Sequence, residues 1–499
     1  MQVSNISKRL LDYKLLFVYL LCFLAFTVVL FSLNGFNFSK FNLLFIGLTV
    51  IAGSGVLFYS FNSKIEIHKT AFILLLIFGI LVAFSSPIFI APDESEHFAR
   101  SDLTSEGVLF PEYVPNHGFY MNNYFWDMVY SMGSTVFNAN FTHWDIWSGQ
   151  GFFESVFAHN LFYAYLAQAL GILIAKIFDL SIIWTLWLGR LFNLLLYAGI
   201  VAFSIKNTPK FKHEFLFIAC LPLAVFQAAS MSADSFIFAV AILNVSYFIR
   251  MYYSENKISI VDFVVFLISG LLIGLLKLPY IFLLFLIFVL PGNKFKSRNE
   301  CILFNFISLA LILIAMVYSV KYSSHVLLNS GRINYALQNN VSVHSQINYV
   351  LSNPGNVLGV FVKDIGSSIY TLFIGELSFY HLMHVSGQFL FNIIVFLVFF
   401  IVSLFSKNSF SRREKISFLF VFLAVYISTF LIQYLSWTPV GYGTILGVQA
   451  RYFIPILILI PFMIGRGYNK KLDNYDDVLL MLVIFLLSGL LILTFVSFY

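Results

Sequence analysis

Charge is scarce in this chain: Asp, Glu, Lys and Arg together make up only 10% of its 499 residues. A dissolved protein needs a charged surface, and here 60% of the residues are hydrophobic, 61 of them Phe, more than any soluble core can hide. Cysteine is scarcer still. Cys22, Cys220 and Cys301 fall in or at the ends of apolar runs, so neither a disulfide framework nor a zinc site is readable. Low-complexity linkers and internal repeats are also missing, and one integral domain, 1–499, is the simplest description. The formal net charge of +6 suggests a basic protein. The Lys and Arg, however, sit in short clusters between apolar runs, a membrane-topology pattern that excludes a nucleic-acid surface.

What is present is a series of uncharged runs of membrane-spanning length, which predicts an all-α polytopic membrane protein. Runs near 15–33, 41–61 and 70–90 give three spans. The first follows Lys8, Arg9 and Lys14, is too long for a signal-peptide core and lacks a cleavage site, so it is expected to remain as an anchor. With the N-terminus cytoplasmic, the stretch after the third span is extracytoplasmic. It is polar and aromatic and runs as a first outer loop over 91–181.

The apolar stretch 159–178 inside that loop is the one ambiguity, and charge parity decides it. If it crosses, the groups at Lys206, Lys210, Lys212, Lys257, Lys294, Lys296 and Arg298 all fall outside. If it lies in the interface, 20 of the 29 Lys and Arg are cytoplasmic, so an interfacial helix is expected there. Further spans follow near 182–205, 214–231 and 236–253. A short pair of helices between 258 and 291 breaks at Lys277-Leu278-Pro279-Tyr280. A span near 302–320 precedes a second outer region, 321–387, holding Arg332, His344, Lys363, Glu376, His381 and His384. The last spans lie near 388–406, 416–435, 452–466 and 477–497, making about 13 transmembrane helices.

Against so apolar a background, one cluster stands out. Ile90-Ala91-Pro92-Asp93-Glu94-Ser95-Glu96-His97-Phe98-Ala99-Arg100 packs five ionisable side chains into eight residues. Pro92 predicts a helix start, with Asp93 and His97 on one face and Glu96 paired with Arg100 on another. The bland alternative is a solvated helix cap; the chemical one is a carboxylate site for acid–base or metal work. Asp234 lies at a junction on the same membrane face, where it could cap the helix 235–253 or meet Asp93 across a cleft. Lys277 at the helix break and Arg451, after the glycine-rich 441–447, read either as interfacial anchors or as contacts to an anionic lipid headgroup.

The order Pro-Asp-Glu-x-x-His-Phe after an early span, Lys-x-Pro-Tyr mid-chain and Gly-x-Gln-x-Arg-Tyr-x-x-Pro near the end resembles a bacterial family of uncharacterised polytopic membrane proteins. That domain-of-unknown-function family is itself similar to the GT-C superfamily of integral-membrane glycosyltransferases. The resemblance covers about residues 70 to 470. It implies a GT-C-like fold with interfacial helices in the first outer loop, and a sugar donor linked to a polyprenyl phosphate.

It also implies residue roles. Asp93 and Glu94 would be the acidic pair of the first outer loop, with Asp93 as general base, Glu94 and His97 orienting it, and Asp234 as the acidic residue of the next loop. Lys277, Tyr280, Gln449, Arg451 and Tyr452 would contact substrate. The expected activity is transfer of a sugar, with inversion, to a cell-envelope glycan or lipid on the outer face of the plasma membrane. A divalent metal, Mg or Mn, is left open. An O-antigen-type polymerase or ligase is the alternative enzyme, and a transporter or flippase of lipid-linked glycans the alternative of another class. The latter would place charges along its spans.

Overall fold

The computed structural model describes residues 2–36, 39–63, 65–135, 137–139, 149–328, 330–371, 385–466 and 475–499. Glu376, His381 and His384 of the second outer region, and Lys64, Lys470 and Lys471 among the basic groups, lie outside them.

The chain is an all-α polytopic membrane protein. Its first three helices, α1 (Gln2–Leu33), α2 (Lys40–Ser63) and α3 (Ile67–Ser85), lead to the short α4 (Glu94–Ser105) and α5 (Tyr124–Tyr130). The next are α6 (Leu166–Ile177), α7 (Ile182–Asn207), α8 (Lys212–Ala219), α9 (Pro222–Ala228), α10 (Asp234–Tyr253), α11 (Ile260–Leu276) and α12 (Arg298–Leu328). After α13 (Arg332–Gln338), α14 (Val343–Ser352) and α15 (Pro354–Tyr370) come the long α16 (Gln388–Phe405) and α17 (Arg412–Ser436). The fragments α18 (Ile454–Leu457) and α19 (Leu459–Ile464) and the long α20 (Tyr475–Phe498) complete the order. Among the described residues nine of these, α1, α2, α3, α7, α10, α12, α16, α17 and α20, are long and apolar enough to cross a membrane.

The other four of the thirteen expected spans fall on broken or short helices. The 214–231 run is divided between α8 and α9 by Pro222, whose ring removes a backbone donor and fits the first turn of a new helix. The 452–466 run is divided into α18, with Pro455 in its first turn, and α19, with Ile458 between them. The 258–291 pair is α11 followed by a 3-10 helix, Leu278–Val289, whose steeper rise of ~2 Å per residue gives twelve residues about 24 Å. The pair returns to where it began, since Ile258 N–H donates to Lys294 O at 2.9 Å and Lys257 Nζ to Asn293 O at 2.7 Å.

Side-chain and backbone contacts tie the basic clusters to one end of the bundle. Arg250 reaches Asn207 and Asp262, Lys294 reaches Ser254 O, Lys415 reaches Gly465 O, and Arg466 N–H reaches Leu404 O. At the opposite end stand Asp93, the start of α10, and Tyr499, whose hydroxyl donates to Ser85 O. The helix α6 is 12 residues, about 18 Å, and continues a 3-10 turn, Phe162–Tyr165, so this apolar helix is shorter than the nine long ones. It packs against α7 so closely that a Cβ on Gly171 would stand 2.4 Å from Leu188 O. The 91–181 region also holds a small antiparallel sheet that the sequence reading did not anticipate, β1 (Phe119–Asn122) on β2 (Gln150–Phe153), with Tyr120 opposite Phe152.

Candidate functional site

The acidic cluster does not begin as the sequence suggested. Pro92 stays outside the helix, Asp93 follows in the left-handed region at φ 58°, and α4 starts only at Glu94. Left-handed backbone is uncomfortable for a residue with a Cβ and is tolerated by Asp better than by most. It turns the Asp93 side chain away from the helix. The expected Glu96–Arg100 pair is also absent. Glu96 accepts from Ser155 Oγ at 2.6 Å and Val156 N–H at 3.0 Å, while Arg100 donates to Asn160 O, Thr104 Oγ1, Val108 O and Leu109 O. A packed loop lies over the helix, and its backbone carbonyls satisfy the guanidinium where a solvated helix would have used an i, i+4 partner.

Glu94 is held by Arg190 of α7, an anchor the sequence reading did not single out. Arg190 donates through Nε and Nη2 to the two Glu94 oxygens, at 2.8 Å each, and its remaining N–H groups go to Ala83 O, Ser86 O and Pro87 O. Glu94 also accepts from Met231 N–H at 3.1 Å and Ala91 N–H at 3.4 Å. A buried ion pair this completely hydrogen-bonded is costly to break from either side. It fastens the end of α3, the start of α4 and the 230–233 turn to one point, and so places Asp93 and Asp234 relative to each other.

The turn before α10 then delivers Asp234, which does not cap its own helix: no side-chain cap bond is made at that terminus. Its Oδ1 accepts from Lys277 Nζ at 2.5 Å and its Oδ2 lies 3.1 Å from Arg451 Nη1. Arg451 closes the site. Its Nη1 donates to Pro92 O at 3.1 Å and its Nη2 is ion-paired with Asp93 Oδ2. Tyr452 underlies both cations, with its ring centroid 4.3 Å from Lys277 Nζ and 5.4 Å from Arg451 Cζ, and Tyr280 fixes that turn by donating to Tyr452 O at 2.8 Å. Residues from four separate stretches, Asp93, Asp234, Lys277 and Arg451, thus meet at one point.

Exposure separates their roles. The side chains of Asp93 and Lys277 are 38% and 35% exposed, whereas those of Asp234 and Arg451 are 2% and 3% exposed. The guanidinium fork expected to hold a phosphate is directed at protein groups, and the accessible cation is Lys277. A second cation stands nearby: Arg332, at the start of α13, lies within electrostatic reach of Asp93, Glu96 and Tyr452, and its buried Nε has no hydrogen-bond partner. Arg451 Nε and Gln449 Oε1 are also buried without partners. A buried polar atom without a protein partner calls for one, which a bound water or ligand would supply.

His97 is buried against the Phe157 ring, its Nδ1 3.0 Å from Tyr165 Oη, which accepts from Asn160 Nδ2 at 2.9 Å. With Asn160 donating, the Tyr165 proton is free to go to Nδ1, which leaves the ring hydrogen of a neutral imidazole on Nε2. Burial pulls the His97 pKa down to about 4, against the pull of Asp234 and Asp93. Burial pushes the Glu96 carboxyl up to about 7, and the Ser155 and backbone hydrogen bonds only partly offset it. Both side chains are therefore neutral over a wide range of acidic pH. A metal does not fit this arrangement. Asp93 and Asp234 are bridged by Arg451 and paired with Lys277, and among the described residues no group of three or more His, Cys, Asp or Glu could hold an ion.

Deeper in the first loop, Asp102 accepts from Tyr124 Oη at 2.5 Å and Asn122 Nδ2 at 3.0 Å and pairs with Lys176 Nζ at 2.7 Å. Lys176 also reaches Ser105 and Glu106, so α6 is locked to the far end of α4.

No curated protein and no solved structure matches the chain. A family model does match, over residues 153–460, a stretch that takes in Asp234, Lys277, Tyr280, Gln449, Arg451 and Tyr452 and begins after the Asp93–His97 cluster. Since that is more than half of the chain, it belongs to the family described as predicted membrane protein (DUF2142).

Proposed function

We propose that the protein is an inverting glycosyltransferase that moves a sugar from a polyprenyl-phosphate donor to a cell-envelope glycan or lipid at the outer face of the plasma membrane. The observation that carries this reading is the position of Asp93. It is the accessible carboxylate of a site whose Asp234 and Arg451 are buried, turned outward by its backbone and oriented by an arginine. In the proposed reaction the acceptor oxygen attacks the anomeric carbon and Asp93 takes the acceptor's proton. The carbon–oxygen bond to the donor phosphate breaks, and its electron pair leaves with that phosphate. Lys277 would stabilise the departing charge, with Arg332 within electrostatic reach of Asp93, while Arg451 positions Asp93 and Asp234. The polyprenyl tail would lie among the spans, with membrane lipids around it.

The test is transfer from synthetic polyprenyl-phosphate sugars by the purified protein in lipid vesicles. Asp93→Asn keeps the shape and loses the base, so transfer should fall at least ~100-fold while donor binding persists. Lys277→Gln should instead raise the donor concentration needed. Undiminished transfer by the Asp93 variant would overturn the reading.

A further inference from the structure

The helix α15 belongs to a stretch too polar to span, yet its surface is divided into three sectors. Val357, Asp364 and Ser368 are buried against the protein. Leu358, Val362 and Ile369, on a second side, are 66%, 66% and 57% exposed. Asn356, Lys363 and Ser367, on the third, are exposed and polar. At 100° per residue the exposed apolar and exposed polar sectors are separate arcs. A helix surrounded by water has no use for the former, and one surrounded by lipid cannot keep the latter.

The contacts of α15 say where it lies. Phe361 packs on Tyr434 with ring centroids 5.4 Å apart, and seven residues later Ser368 Oγ is 2.7 Å from Tyr426 Oη. The two helices therefore run antiparallel, and Ser368 meets α17 ten residues, about 15 Å, below its end at Ser436, near half the thickness of a bilayer's hydrocarbon. On α17 the neighbouring Leu423, Ile427 and Leu431 are exposed, as a span's lipid-facing side chains must be. The apolar sector of α15 continues that surface.

We infer that α15 is a re-entrant, lipid-contacting helix: it enters the bilayer beside α17 without crossing, with Leu358, Val362 and Ile369 on acyl chains and its polar sector turned to water or headgroups. This goes beyond the transferase reading and stands apart from it. The lipid-seated helix also touches the loop that carries the site. Asp364 Oδ2 accepts from Ile445 N–H at 2.5 Å and, from α14, Gln346 Oε1 accepts from Gly441 N–H at 2.9 Å.

The experiment is site-directed spin labelling of the full chain in phosphatidylethanolamine–phosphatidylglycerol vesicles, with Cys22 and Cys301 replaced by serine. Collisions with oxygen, which concentrates in acyl chains, are compared with those of a water-soluble nickel complex. Labels at 358, 362 and 369 should favour oxygen, and labels at 356, 363 and 367 should favour nickel. Preference for nickel at 358, 362 and 369 would make α15 part of a loop in water and overturn the inference. Shielding of those three from both reagents would do the same, by showing protein on that face.

Discussion

Glu96 and His97 are neighbours in sequence whose burial shifts proton affinity in opposite directions. Glu96 rises from 4.5 to about 7, so the folded state holds a proton that the unfolded state releases. The stability this gives is complete below pH 4.5 and is lost as pH climbs to about 7. His97 falls from 6.5 to about 4, so its contribution is complete above pH 6.5 and is lost as pH drops toward 4. Between pH 4.5 and 6.5 the two cancel, one proton held by the folded state against one held by the unfolded. Single variants should expose the halves. Glu96→Gln keeps the acceptor for Ser155 and removes its titration, so melting temperature should fall on acidification from pH 6.5. His97→Asn should do the reverse, gaining stability from pH 7 down to 4.5. Each slope amounts to up to about 3 kcal/mol. Thermal unfolding of the detergent-purified variants across pH 4–8 measures it, and parallel profiles for the two would contradict the neutral pair.

At the scale of elements, the first loop depends on α6 lying flat on α7, and Gly171 is where they touch. Gly171→Ala puts a methyl 2.4 Å from the Leu188 carbonyl, which neither backbone can vacate, so α6 must lift. The expected result is a loss of roughly 1–3 kcal/mol and faster hydrogen exchange in α4 and α6, because Lys176 would be drawn from Asp102 and Glu106. Unchanged exchange in α4 would show that the lysine network does not couple the helices.

Much of this architecture was legible beforehand, because in so apolar a chain a span announces itself by length and a charge announces itself by rarity. Asp93, Asp234, Lys277 and Arg451 could be picked out for that reason, and structure brings all four to one point. Arg190 could not: a single arginine near the start of a span reads as an interfacial anchor, and its satisfied fork depends on Glu94 and on carbonyls at and just past the end of α3. Helix start and pairing in α4 were misread because local spacing carries no word of the loop that covers it. The β1–β2 pair was hidden for a related reason, its short strands lying far apart in an aromatic stretch without clear alternation.

For the whole molecule, the decisive quantity is the parity of crossings. Contacts gather Lys257, Lys294, Arg250, Lys415 and Arg466 at one end and the Asp93 site at the other, with the short α6 between α3 and α7, the third and fourth long helices in the chain. On the proposed orientation, in which α6 does not cross, the positive-inside tendency would put the basic end in the cytoplasm and the site on the outer face. Single cysteines at Lys210 and Asn256, both exposed, should be labelled by an impermeant maleimide only after the membrane is opened, whereas one at Phe110 in the first loop should react from outside in intact cells. Labelling of Lys210→Cys from outside, together with protection of Phe110→Cys, would invert the orientation and put the site in the cytoplasm. An extracytoplasmic donor would then be out of reach, so this measurement bears on the chemistry before any substrate is known.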